Sequence, residues 1–425
     1  MKSLGRWLYT LGLLLFFLGM SPLVLWQFVR HAKYRRGLGE RLGRMAAWEG
    51  TAGPLWLHTV SVGEAMAAAP LACELRRRRP KIPLLVSTVT ETGRAVAEQR
   101  LPADRYVFFP FDFPWTVLRA LDRLRPRIVL LTETELWPNL LWACARRKVP
   151  VVVVNGRISP RSFPRYLRVR PWFRQVLRDV TLFCMQSQVD AERILTLGAP
   201  PERVRIVGNL KYDLADLGEG GETAPIRRGL GLTADVPLLV GGSTHRGEEE
   251  AVLAAFGRAR EAIPSVCLLL APRHPERLDE VERLVRQAGH RCLRRSRLPA
   301  EPLPPGGVIL LDTMGELARL YAAASVVFIG GSLIPHGGQN LLEPAAHARP
   351  VIHGPHMGNF AEMRKQFLEA GAAVEIPDGT ALPAEVLRLL CAPALADRMG
   401  KAGRRIVESH RGATRRTADL VERLL

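Results

Sequence analysis

The sequence has no paired-cysteine motif. Its six cysteines, Cys73, Cys144, Cys184, Cys267, Cys292 and Cys391, are scattered through mostly apolar surroundings without a CxxC spacing. They read as reduced packing residues, which suits the cytosol and argues against a zinc ribbon or disulfide framework. There is no DxD pair to suggest a required divalent metal, and no zinc-finger, RNA-binding or helix-turn-helix signature. No short internal repeat is visible. Acid is also scarce: 41 Asp and Glu face 60 Lys and Arg, a formal charge of +19. That surplus favours an anionic partner, such as a phospholipid surface, a phosphorylated substrate or nucleic acid.

Charge is absent altogether from residues 7–29, WLYTLGLLLFFLGMSPLVLWQFV. As a helix this run would reach about 34 Å, enough for a hydrocarbon layer of roughly 30 Å. Lys2 and Arg6 precede it, and Arg30, Lys33, Arg35, Arg36, Arg41 and Arg44 follow it. The basic excess predicts an uncleaved anchor over residues 1–30 whose C-terminal side is cytoplasmic, against anionic inner-membrane lipid. A shallow interfacial helix is the competing expectation.

Beyond residue 50 continuous apolar runs alternate with helical stretches. PLWLH, PLLVST, YVFFP, RIVLLTE, PVVVVNG, LFCMQ and RIVG form one series; PLLVGGST, VCLLLAPR, VILLD, SVVFIGG and PVIHG form a second. Such a pattern predicts parallel sheets covered on both faces. The Gly- and acid-rich segment 214–225 reads as a linker between a first domain at 31–213 and a second at 226–425. Two doubly wound, Rossmann-like domains would then face each other across a cleft, with ligands outside the carboxyl ends of the strands.

Polar residues just after strands are therefore the candidates. Glu64 in HTVSVGEAMAAAP falls in the first turn of a helix that follows PLWLH. Glu133 and Glu135 end RIVLLTE, one as a cap and the other as a site residue. Lys211 in RIVGNLKYD lies near the linker, where an ammonium could neutralise a departing phosphate. In the second series Ser243, Thr244 and His245 suit either helix capping or an anion, and Pro272, Arg273 and His274 follow a strand directly. Met314, Gly315 and Glu316 occupy another strand-to-helix turn. In GGSLIPHGGQNLLEPAAH, glycines precede Asn340, Leu341, Leu342 and Glu343. Asn340 and Glu343 have the spacing of a capping box, but Glu343 could also accept from ribose hydroxyls beside a phosphate-binding helix start. Seven arginines between Arg157 and Arg178 interleave with Phe163, Tyr166, Trp172 and Phe173, as a solvated basic helix or a face for headgroups or a phosphorylated acceptor.

The blocks HTVSVGE, TETELWPN, GNLKYD, STHRGEE, APRHPER, DTMGEL and GGSLIPHGGQNLLEPAAH, in this order, resemble the bacterial 3-deoxy-D-manno-octulosonic acid (Kdo) transferases over about residues 1–410. The resemblance implies a glycosyltransferase-B architecture behind an inner-membrane anchor, with catalysis on the cytoplasmic side. It implies transfer of Kdo from CMP-Kdo to the tetra-acylated lipid A precursor in lipopolysaccharide biosynthesis; without a DxD pair or a nucleic-acid signature, no cofactor, no metal and no nucleic acid are expected. By it, Glu64 is the general base, Glu133 and Lys211 assist the transition state, and Pro272, Arg273, Met314, Gly315, Glu316, Asn340, Leu341, Leu342 and Glu343 hold CMP. Displacement on the face opposite CMP would invert the anomeric centre. A membrane-associated transferase of the same architecture using a UDP-sugar is the alternative, since fold does not choose the nucleotide.

Overall fold

A computed structural model describes residues 2–30, 37–50, 52–214, 223–298 and 300–425, with side chains of 2–4 and 20–30 excepted. The chain forms two compact units. The first comprises Met1–Leu214 together with Arg411–Leu425, and the second Ala215–His410. Lys33, Arg35, Arg36 and most of the expected linker lie outside the described residues.

In the first unit seven parallel strands, β1 (Leu55–Thr59), β2 (Leu84–Thr88), β3 (Arg105–Phe108), β4 (Ile128–Thr132), β5 (Val151–Gly156), β6 (Leu182–Met185) and β7 (Val204–Ile206), are ordered 3-2-1-4-5-6-7. β1, β2, β4 and β5 are buried along their whole length because helices cover both faces. This is why their sequences are unbroken apolar runs and not alternating ones. The order reverses between β1 and β4, which places a crevice outside their carboxyl ends. His58 is fully buried within β1, stacked on Phe109 at 3.8 Å and 2.9 Å from Ser87 Oγ. Burial pushes its pKa down to about 3, so it packs as a neutral ring.

The second unit repeats the plan with β8 (Leu238–Thr244), β9 (Cys267–Pro272), β10 (Cys292–Arg294), β11 (Val308–Leu310), β12 (Val326–Ile329), β13 (Val351–His353) and β14 (Ala373–Glu375). Their order is 10-11-9-8-12-13-14, again parallel throughout, and reverses between β8 and β12. β10 and β14 are three-residue edge strands outside the expected set.

The N-terminal expectation is corrected. Helix α1 spans Lys2–Arg30, but among the described residues no helix is long and apolar enough to cross a membrane. The spanning anchor and the inner-membrane placement built on it therefore fall. The uncharged run is divided between two environments. One face packs on the first unit: Phe17 meets Phe111 and Phe113 edge-on at 4.9 and 5.5 Å, and Tyr9 lies 5.9 Å from Trp172. Two polar residues of the run, Tyr9 and Thr10, bond to the same unit. Thr10 Oγ1 is 3.2 Å from Asn139 Nδ2, and Tyr9 donates to Asp112 Oδ2 at 3.0 Å. Trp7, Leu8, Leu11, Leu15, Phe16 and Leu18 stay exposed on the other face.

The arginine-rich segment sorts in the same way. Phe163, Tyr166, Trp172 and Phe173 join the core, while Arg161, Arg165, Arg168, Arg170, Arg174 and Arg178 face outward. Asp112 joins α1 to a helix α3, Pro138–Arg146, by accepting from Tyr9 Oη, Asn139 N (3.0 Å) and Leu140 N (2.9 Å). Burial pushes its carboxyl up to about 7 against the pull of those three donors. Asp112→Ala, which strands buried donors, should lower stability by about 1–3 kcal/mol, and Tyr9→Phe by about 1 kcal/mol. Urea titration of the two variants checks that order.

Candidate active site

Helix α2 (Val62–Arg78) starts two residues after β1 ends. Ser61 is its N-cap, in extended backbone, with Oγ accepting from Glu64 N at 3.5 Å. Glu64 folds back over the turn: Oε2 accepts from Val60 N at 2.8 Å and Oε1 from Ser61 Oγ at 3.1 Å. So far this is a local cap. A third donor is not local. Thr132 Oγ1, at the carboxyl end of β4, lies 2.8 Å from Glu64 Oε2 and 2.8 Å from the His58 carbonyl. The carboxylate thus sits between β1 and β4, where the strand order reverses, and is 7% exposed. Burial raises its pKa and the charge of Glu133 adds to the rise, while the bonds from Val60, Thr132 and Ser61 oppose it. The sum is a carboxylate held in place yet more basic than an ordinary one.

Glu133 follows Thr132 with φ 55°, a left-handed conformation that non-glycine residues adopt at a cost of about 1–3 kcal/mol. Its N–H is retained by the Val154 carbonyl at 2.9 Å. Glu135 is half-buried, and its carboxyl is pushed up to about 7 by burial and then by Glu64 and Glu133. Three carboxyl groups therefore share one strand-end region and repel one another. Lys211 lies in a 3-10 turn, Leu210–Leu214, after β7, its N–H accepted by Asn209 Oδ1 at 3.0 Å. The turn is fixed by Asn155 Oδ1, which accepts from Leu210 N at 2.9 Å. Lys211 thus stands at the β5–β7 end of the same sheet edge that carries Glu64 and Glu133.

In the second unit the candidates gather at the carboxyl ends of β8, β9, β11 and β12. Pro272 closes β9, and exposed Arg273 follows with its N–H on the Thr244 carbonyl at 2.9 Å. Met314 is 79% exposed, and Gly315 beside it has φ 82° with open space where a Cβ would sit. Glu316 accepts from Thr313 Oγ1 at 2.5 Å and lies 3.5 Å from Arg295. The capping box that the Asn340–Glu343 spacing allows does not form. Asn340 Oδ1 accepts from Leu342 N at 3.1 Å, and its Nδ2 donates to Glu343 Oε1 at 3.1 Å, so the Glu343 carboxylate caps no backbone N–H. Burial pushes the Glu343 carboxyl up, the Asn340 bond opposing. Helix α4, Leu342–Ala346, is only five residues long. Leu341 and Leu342 are fully buried, so only their backbone is available to a ligand.

Two holding residues escaped the sequence reading. Thr132 leaves a signal only as the single hydroxyl ending an aliphatic run. Glu248 is fully buried and accepts four backbone N–H groups: His245 at 2.9 Å, Gly331 at 2.7 Å, Ser332 at 3.0 Å and Leu333 at 2.9 Å. It fixes the β8 turn to the glycine loop. In sequence it is one of three consecutive glutamates with nothing to distinguish it.

With this geometry in view, comparison with known proteins is decisive. A family model described as 3-deoxy-D-manno-octulosonic-acid transferase (kdotransferase) matches residues 36–214. The 3-deoxy-D-manno-octulosonic acid transferase of Bordetella pertussis is 38% identical over 443 residues, 99% of this chain and 99% of that protein. The chain belongs to the Kdo transferases. The Haemophilus influenzae member is 34% identical over 403 residues, 93% of this chain and 92% of its own length. This member of the family is accordingly an enzyme, a glycosyltransferase of the Kdo transferase type. A UDP-GlcNAc 2-epimerase from Neisseria meningitidis superposes with a TM-score of 0.55 at 14% identity, over 84% of this chain and 99% of that one, a likeness of fold alone.

The raised Glu135 carboxyl carries a stability consequence. Its folded pKa exceeds the ordinary carboxyl value, so the native state binds the extra proton and stability falls as pH rises from about 4.5 to about 7. Glu135→Gln should remove that fall. Its melting temperature should match wild type at pH 4.5 and exceed it at pH 8.

Proposed function

We propose that this transferase moves Kdo from CMP-Kdo to a sugar hydroxyl of the tetra-acylated lipid A precursor, with inversion, and that Glu64 is the general base. A sugar hydroxyl is far too weak an acid to ionise near neutrality, so its proton must be taken as the new bond forms. The observation that carries the assignment is the Glu64 carboxylate: three donors orient it at the reversal point of the first sheet, and its basicity is raised. A group fixed in position loses little entropy when it takes the proton. The donors that hold it, two hydroxyls and a backbone N–H, are neutral.

Glu133 and Lys211 fit supporting roles on this reading. The strain at Glu133 is the kind retained where a side chain must be aimed, and an ammonium at Lys211 would offset negative charge on a departing phosphate. In the second unit Pro272, Arg273, Met314, Gly315, Glu316, Asn340 and Glu343, with the backbone of Leu341 and Leu342, are proposed to hold CMP. Arg273 supplies charge to the phosphate and Glu343 accepts from ribose hydroxyls. The two carboxylates then do different chemistry, since Glu64 exchanges a proton whereas Glu343 only accepts hydrogen bonds.

Glu64→Gln keeps the size and most of the cap but cannot accept the proton. It should lower Kdo transfer by about 10²–10⁴-fold with CMP affinity retained, measured with purified protein, CMP-Kdo and lipid A precursor by mass spectrometry of the products. Wild-type turnover in this variant removes the base assignment. Because the base must be ionised, the wild-type rate should fall as pH drops through a pKa above the ordinary carboxylate value, and Glu64→Gln should lack that limb. Glu343→Ala should weaken CMP binding by about tenfold or more and leave the acceptor KM in place; unchanged CMP affinity would make that residue structural.

A further inference from the structure

Three imidazoles converge at the carboxyl ends of β8, β9 and β12, all within the second unit. His245 follows β8 directly and is 6% exposed. The His336 ring, on the glycine loop after β12, lies 4.2 Å from it, and the His274 ring, after β9, lies 5.4 Å from it. Both outer rings are exposed, so they form the mouth of the cluster and His245 its base. Gln339 Nε2 approaches His245 Nε2 at 3.4 Å. Gly331 is the floor: with φ 64°, a Cβ there would touch His336, Gln339 and His245 together, each at 3.4–3.5 Å. The backbone beneath is fixed by Glu248, which binds the N–H groups of both His245 and Gly331.

The charges around this cluster are one-sided. Arg273 and Arg277 raise the positive potential at His245 together with the other two rings. The acids on the same elements are engaged elsewhere. Glu248 is filled by four amides, Glu249 pairs with Arg277 at 2.8 Å, and Glu280 pairs with Arg246 at 2.7 Å. Glu276 lies 3.4 Å from His274, at the exposed mouth of the cluster. No described carboxylate pairs with His245 or His336. Arg277 is offset by Glu249 and Glu280, so Arg273 and the rings, when protonated, make a positive patch that an anion completes.

We propose that His245, His336, His274 and Gln339, over the Gly331 floor, form a subsite for an anionic oxygen group of the sugar-nucleotide donor, either its phosphate or its carboxylate. This rests on the CMP-Kdo reading and adds residues which that reading does not use. Burial, then His336, His274, Arg273 and Arg277, push His245 down to about 4 when the subsite is empty. An anion offsets the part of that depression due to like charge and so favours proton uptake on binding. By linkage the bound group tightens as pH falls, by at most about tenfold per pH unit for each proton taken up.

The test is titration calorimetry of the full chain with cytidine, CMP and CMP-Kdo at pH 6.5 and 8, in two buffers of different ionisation heat. Wild type is compared with His245→Ala and with His336→Ala, the latter at an exposed position that leaves the core untouched. CMP-Kdo, whose phosphodiester does not titrate in this range, separates proton uptake by the rings from uptake by the CMP phosphate. Both variants should lose proton uptake and bind about ten- to a hundredfold more weakly, with cytidine affinity unmoved. Loss with CMP assigns the phosphate; loss confined to CMP-Kdo assigns the carboxylate. Wild-type affinities and proton uptake in both variants overturn the subsite. A wild-type protein that binds no cytidine nucleotide overturns the donor reading itself, and the subsite with it.

Discussion

Carboxylates that accept from backbone N–H groups, most of them buried, hold this molecule's working edges in shape. Glu64 takes Val60 N and two hydroxyls, Glu248 takes four amides, and Asp112 takes two amides and a phenol. Asp190 takes Ile158 N and Asp213 takes Gly412 N and Thr414 N. Each ties a segment just past a strand to another that is distant in sequence. Several hydrogen bonds to one ionised group are stronger than the same number of neutral ones, and they order loops without consuming the lysines and arginines that ligands need. A protein with such a basic excess can therefore keep many guanidinium groups free at its surface.

Parallel sheets impose the rest. Every crossover, on either face, carries the chain back to the same end of the sheet, so all strands deliver their last residues to the opposite end, and backbone there must leave the ladder abruptly. The left-handed residues Glu133, Asn155 and Ser243 all stand at such exits, after β4, within the end of β5 and within the end of β8. Their strain is repaid by hydrogen bonds across neighbouring strands: the Glu133 N–H to Val154 and the Asn155 side chain to Leu210. Reactive side chains are thus presented by backbone that could not relax without breaking the sheet's end.

The strands were readable because burial on both faces leaves an unambiguous record, as in LWLHT and IVLLT. Glu64 was readable as a carboxylate out of place at a strand end. Its tether to Thr132 was not, because a contact across 68 positions depends on strand order, which periodicity does not encode. Residues 7–29 were misread for a related reason. Hydropathy counts apolar atoms but not which face meets protein, and Tyr9 and Thr10, small interruptions in the run, are the residues that dock it. The same ambiguity affected the arginine-rich segment, where aromatics and arginines alternate in sequence but separate in space. Asn340 and Glu343 show the limit from the other direction, since capping-box spacing was present and the cap is not made.

The chain's last turn has a practical meaning for anyone dividing it. Helix α5, Ala413–Glu422, belongs to the first unit, where Ala413, Ala418 and Val421 complete a core layer beneath β1, β2 and β4, and Asp213 clasps its start. A cut near residue 214 therefore yields no clean halves. The leading fragment is left with an open apolar groove, and the trailing one carries an orphan greasy helix inviting self-association. Ending the trailing piece at His410, and grafting the closing helix onto the leading piece, follows the seam the molecule itself uses.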